Sequence, residues 1–83
     1  MKKLTAFCFL QIERNEREKV KDYLLKCPQI KAYYRLTGDY NGMIEIEGED
    51  TEDIYEFYHQ HLDNLPGIQE TYTQVVIKKF SLK

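Results

Sequence analysis

Seven consecutive residues, Leu36-Thr37-Gly38-Asp39-Tyr40-Asn41-Gly42, bring together two glycines, a hydroxyl, a carboxylate, an amide and an aromatic ring. A tight reversal between two strands needs only about two residues, so this stretch holds more polar chemistry than a turn requires. Backbone N–H groups left free in such a turn, beside glycines that permit close approach, can hold a carboxylate. Asp39 or the side-chain carbonyl of Asn41 can hold an ammonium. Those are the two ends of an amino acid, which makes Thr37, Gly38, Asp39, Tyr40 and Asn41 the candidate ligand-binding residues. The same composition also serves as plain turn chemistry, so binding stands beside a purely structural reading.

Other chemistries find less support. His59 and His61 are two apart on a helical pattern, so their side chains diverge by about 200° and cannot share a metal. Cys8 and Cys27 show no C-x-x-C spacing, which argues against an iron–sulfur centre; at apolar-periodic positions they behave as small hydrophobes. The acidic run Glu47, Glu49, Asp50, Glu52 and Asp53 suggests a divalent ion, because hard cations want several oxygen ligands, yet helix capping accounts for it without one. No nucleophile is matched to a base and an orienting carboxylate: Ser81 lies in the tail and Cys8 in an apolar run. The expectation is a protein with no catalytic residue, metal or cofactor.

Composition narrows the partners. The formal net charge is −2, so the electrostatic footprint of a nucleic-acid binder is missing, and the basic pairs Lys2-Lys3 and Lys78-Lys79 read as solvated ends. Without a basic field or an RNP-type motif, Tyr33, Tyr34 and Tyr72 are expected to pack within a sheet and at an interface. Met1-Lys2-Lys3 followed by an apolar run superficially resembles a signal peptide, but no small-residue cleavage site follows and Gln11, Glu13 and Arg14 arrive at once. No stretch is long enough to cross a membrane as a helix. Two unpaired cysteines fit a reducing cytoplasm.

The elements that must position the 36–42 segment come in two similar halves. Pro28 and Pro66 are offset by 38 residues, and the same offset carries Glu18 to Glu56, Leu24 to Leu62, Ile30 to Ile68 and Tyr34 to Tyr72. Each half reads strand, helix, Pro-containing break, strand. The doubled unit predicts a single α+β domain over residues 1–83: ferredoxin-like βαββαβ, a four-stranded antiparallel sheet with two helices on one face. The first strand is predicted over Leu4 to Ile12, the second over Ile30 to Thr37, the third over Met43 to Glu47 and the fourth over Ile68 to Phe80. Asn15 is the expected cap of the first helix, with Glu18 at its third position. Asp50 or Thr51 is expected to cap the second, whose stripe is Ile54, Phe57, Tyr58, His61, Leu62 and Leu65.

On the first strand Leu4, Ala6, Cys8, Leu10 and Ile12 share one face, and Phe7 and Phe9 the other. A strand apolar on both sides is covered on both sides. Helices cover only one, so sheets packed face to face in a homodimer are expected. A domain this small buries only about 60–70% of the surface of its unfolded chain, which favours association.

The hairpin Thr37-Gly38-Asp39-Tyr40-Asn41, the strand after it, the acidic helix start, and Leu65-Pro66-Gly67-Ile68 followed by Thr71-x-Thr73 resemble the effector-binding domain of the Lrp/AsnC family of transcription regulators, the RAM module. The resemblance covers essentially the whole chain and lacks the helix-turn-helix half, so it describes a stand-alone module. It implies a ferredoxin-like fold, dimers joining into octameric rings, and a small amino-acid effector between subunits at the hairpin, with Thr71 and Thr73 as second contributors. It also implies full-length Lrp/AsnC regulators as partners. The family usually has Asp where this chain has Asn41, and an amide lacks the negative charge an ammonium prefers. The rival is a small dimeric α/β barrel enzyme with a pocket between sheet and helices. A filled space there disfavours it. An ACT-type regulatory domain shares the fold, but Glu13-Arg14-Asn15-Glu16 stands where its glycine turn belongs. A ligand-free structural subunit completes the set.

Overall fold

The computed structural model describes residues 3–82. Its elements are β1 (Leu4–Ile12), a 3₁₀ turn (Arg14–Glu16) leading into α1 (Arg17–Leu24), β2 (Ile30–Arg35), β3 (Gly42–Gly48), α2 (Thr51–Phe57) continuing through a π turn (Tyr58–Leu62), and β4 (Ile68–Val75). The sheet order is β2-β3-β1-β4 with every neighbouring pair antiparallel. This is the expected ferredoxin-like plan.

β1 is flanked on both sides, Cys8 facing Ile44 on β3 and Thr73 on β4, so its alternation decides both faces of the sheet. Ala6, Cys8, Leu10 and Ile12 point toward the helices and join Val20, Leu24, Ile44, Ile46, Ile54, Phe57 and Leu62 in one buried cluster. On the other face Phe9 stands between Met43 and Tyr72, and Tyr34 lies opposite Met43. Tyr34, Met43, Phe9 and Tyr72 thereby form an apolar row across all four strands, with the Phe9 and Tyr72 ring centroids 6.3 Å apart. Phe7 and Phe9 are half-buried within the sheet, whereas Tyr34 and Tyr72 are exposed.

The two helices start differently. Asp50 caps α2, accepting from the Asp53 N–H at 2.9 Å, while the Asp53 carboxylate accepts from the Glu49 N–H at 2.8 Å. This near-reciprocal capping accounts for the Asp50 and Asp53 carboxylates of the acidic run. The expected Asn15 cap is not used: Asn15 lies inside the 3₁₀ turn and no side chain caps α1. The cause is a distant contact, the Glu13 N–H bonding the Gly67 carbonyl at 2.8 Å, which brings the chain into its first turn before Asn15. α1 then tightens through Lys26 N–H to Tyr23 O and Cys27 N–H to Leu24 O as Pro28 approaches, a continuation that proline cannot extend.

β2 stops at Arg35 instead of Thr37, because the Leu36 N–H bonds the Asn41 carbonyl at 2.9 Å and closes the loop there. β4 stops at Val75 instead of Phe80. Its partner β1 begins at Leu4, and after the Val76 N–H reaches the Thr5 carbonyl at 2.8 Å no described residue continues the ladder. Ile77, Phe80 and Leu82 follow as exposed apolar residues.

Candidate functional site

The 36–42 hairpin sits at one end of the sheet, and two of its residues are tied into the fold. Asn41 clamps the end of β1: its Oδ1 accepts from the Ile12 N–H at 2.9 Å and its Nδ2 donates to the Ile12 carbonyl at 3.0 Å. Both halves of the amide are thus committed, and an Asp in this place could accept from the N–H but leave the carbonyl without its donor. Tyr40 reaches β4, its hydroxyl 3.4 Å from Glu70 Oε1. Its phenol is held above the ordinary tyrosine value by desolvation first, then by the Glu70 and Asp39 carboxylates.

Thr37 and Asp39 are exposed at the loop tip. The single backbone–backbone bond closing the loop among the described residues runs from Leu36 to Asn41, and the amides of residues 38–40 donate to no backbone carbonyl there. Gly38 adopts φ +101° with open space where a Cβ would stand, so its backbone angle, and not crowding, calls for glycine. Close approach belongs to Gly42, whose Cβ would come within 2.9 Å of Ile12 Cδ1. The arrangement can present N–H donors and one free carboxylate, Asp39, to a zwitterion.

Thr71 and Thr73 lie elsewhere. Opposite Leu10 and Cys8, they project from the helix side of β4, whereas Glu70, to which Tyr40 reaches, alternates to the other side. They line an open groove of about 310 Å³ with Thr51, Ile54, Tyr55, Tyr58 and Val75. The Thr73 hydroxyl lies 3.1 Å from Cys8 Sγ, and burial raises the Cys8 thiol above its ordinary value despite that contact. One chain therefore brings residues 37–41 together and keeps Thr71 and Thr73 apart from them. Sequence reasoning missed Glu70, Ile12 and the α2 wall of the groove. The wall was recoverable, since Thr51, Ile54, Tyr55 and Tyr58 recur at helical spacing.

The two histidines diverge as their spacing requires. His59 pairs with Asp63 at 3.5 Å, and His61 Nδ1 lies 3.0 Å from the Tyr23 hydroxyl. Among the described residues no three His, Cys, Asp or Glu side chains are placed to hold a metal. No helix is long and apolar enough to cross a membrane.

A family model described as the Lrp/AsnC ligand binding domain matches residues 5–82. The HTH-type transcriptional regulator FL11 of Pyrococcus horikoshii is 28% identical over 75 residues, covering 90% of this chain and 49% of that protein. The chain thus spans about half the length of the curated relatives it matches. A hypothetical protein from Pyrococcus horikoshii superposes with a TM-score of 0.82 at 26% identity, with 92% of each chain covered. A transcriptional regulator from Neisseria meningitidis in complex with L-Met superposes with a TM-score of 0.87 at 22% identity, over 94% of this chain and 52% of that one, a likeness of fold.

Proposed function

The chain belongs to the Lrp/AsnC ligand-binding domain family, and from that premise we propose that it is a non-enzymatic, self-assembling effector module for a small amino-acid-like ligand. The observation that carries the reading is the hairpin tip, where the amides of residues 38–40, with no backbone partner among the described residues, and the exposed Asp39 carboxylate stand together at the sheet end. The amides take the ligand carboxylate and Asp39 takes its ammonium, because Asn41 is committed to Ile12. The L-Met complex of the Neisseria meningitidis regulator supports the ligand class.

Assembly rests on the row Tyr34, Met43, Phe9 and Tyr72. Left in water, this row exposes apolar area that pairing with a second copy would bury, at about 25 cal/mol per Å². Two copies pack sheet to sheet, dimers join toward an octamer, and the effector lies between copies, with Thr71 and Thr73 contributed by a neighbour. The module acts in the cytoplasm and modulates transcription by joining full-length regulators of its family. The barrel-enzyme reading is disfavoured: Leu10, Leu24, Ile44, Ile46 and Val20 are fully buried and fill the centre between sheet and helices, leaving an open groove at the α2/β4 edge and not an enclosed pocket.

Isothermal titration of the assembled protein with the individual amino acids tests the reading. At least one is expected to give saturable heat, lost on Asp39→Asn with the oligomer intact. Flat titrations across the whole set from a folded oligomer overturn it.

A further inference from the structure

The sheet face turned away from the helices carries one charge that its surroundings do not answer. Strand alternation puts Glu45 on that face, between Ala32 on β2 and Phe7 on β1 and one row from Met43 and Phe9. It is half-buried. None of the ion pairs among the described residues includes it, whereas Glu47, two residues on, holds Lys31 at 3.4 Å. Covering this face takes the Glu45 carboxylate out of water, which is strongly unfavourable without a cation beside it.

The chain carries a segment of the opposite make-up. After the last rung at Val76 it runs Ile77-Lys78-Lys79-Phe80-Ser81-Leu82, with Ile77, Phe80 and Leu82 exposed. This tail is basic and apolar where the face is acidic and apolar. Lys78 and Lys79 border a hollow of about 330 Å³ with Thr5, Phe7 and Glu45, and Phe80 borders a second hollow beside Phe7. The tail thus overhangs its own sheet without closing on Glu45. It stands where a second sheet, about 10 Å away in face-to-face packing, has to come.

We propose that the tails are exchanged in the sheet-to-sheet pair: residues 77–82 of each copy lie on the open face of the other, where the Lys78 and Lys79 ammonium groups meet the Glu45 carboxylate and Ile77 and Phe80 cover Phe7. The exchange rests on the assembly proposed above and supplies the cation that its burial of Glu45 demands. In a two-fold pair, a tail displaced from its own face finds the identical surface opposite, and each contact occurs twice. It also orients the pair, because an arrangement that sets Glu45 against Glu45 repels.

Light scattering over a concentration series tests the exchange with two charge reversals and their mixture. Glu45→Lys, and separately Lys78→Glu with Lys79→Glu, are each expected to raise the dimer dissociation constant at least about tenfold. An equimolar mixture of the two variants should return to near the parental affinity, since both contacts of the mixed pair again join opposite charges. The tail variant changes only exposed residues and should keep the parental circular dichroism. Should Glu45→Lys not fold, Glu45→Gln takes its place and still relieves the tail variant on mixing, because like charges no longer meet at one of the two contacts. An unchanged dissociation constant in the tail variant overturns the exchange. So does a weakening of two folded variants that mixing leaves in place, because the contact would then lie within one chain. A dimeric parent with either result overturns the exchange alone; a monomeric parent overturns the assembly and the exchange with it.

Discussion

The first and second halves of this chain are built on one plan and finished differently. Under the repeat Tyr33 corresponds to Thr71, yet the outer strands are set differently: Tyr33 faces Ile44, whose counterpart is Ala6, whereas Thr71 faces Leu10, four residues further along β1, and the second half is left with an open groove beside α2. At the helix starts the second half has a cap supplied within three residues, and the first borrows its start from a residue 54 positions away, Gly67. The halves meet at equivalent positions: Tyr23 and His61 correspond under the repeat, and their side chains touch at 3.0 Å. The lesson is that a duplicated unit keeps its order of elements and varies how they are joined and filled: the buried Ile54 and Phe57 correspond to Glu16 and Lys19.

The sharpest way to break the comparison is to exchange the two finishing residues. Tyr33→Thr opens the closed half and is expected to cost about 2 kcal/mol in chemical denaturation, a half-buried ring being worth less than a fully buried one. Thr71→Tyr in the other half should be neutral or stabilising. If both substitutions destabilise equally, positions 33 and 71 are packed alike and the contrast between the halves fails. A somewhat smaller effect is expected from Asn41→Asp: the Ile12 carbonyl loses its Nδ2 donor beside a new charge, for a loss of about 1–2 kcal/mol. An Asn41→Asp protein of parental stability would show that the clamp carries no weight.

The caps come next. Asp50→Ala should cost about 1 kcal/mol, and Asn15→Ala nothing measurable, since among the described residues Asp50 bonds the α2 N–H while Asn15 caps nothing. The smallest effect is in pH. Burial raises the Cys8 and Cys27 thiols above 9.0 and the Tyr33 phenol above 10.0. Folded-state values above the unfolded ones mean that the folded form retains protons the unfolded form releases, so stability is complete below pH 9 and falls as pH rises through the raised values. Melting temperature should therefore hold up to about pH 9 and drop above it, beyond these ordinary values. A flat profile would contradict the burial of these groups.

Much of this fold was legible because it depends on period and on local chemistry. The alternation of Leu4 to Ile12 separated the core face from the Phe7/Phe9 face, and Asp50 lies three residues from the N–H it caps. What escaped depends on contacts between distant residues. The start of α1 is set by Gly67, the end of β4 by where β1 begins, and the role of Asn41 by Ile12, 29 residues away. The amide read as a ligand group from its type and turn position is spent on the backbone of another strand. The close-approach role ascribed to glycine in the hairpin likewise belongs to Gly42, because only the packed structure brings Ile12 against it.

The proposed effector site requires the sheet face bearing Tyr34, Met43, Phe9 and Tyr72 to meet a second copy. Light scattering of the parent protein beside Phe9→Glu is the most direct measurement. The account predicts a parent mass that is an even multiple of the single chain, and a Phe9→Glu protein that remains folded by circular dichroism but is reduced to one chain. A parent protein that is monomeric at micromolar concentration, with or without amino acids, would contradict it.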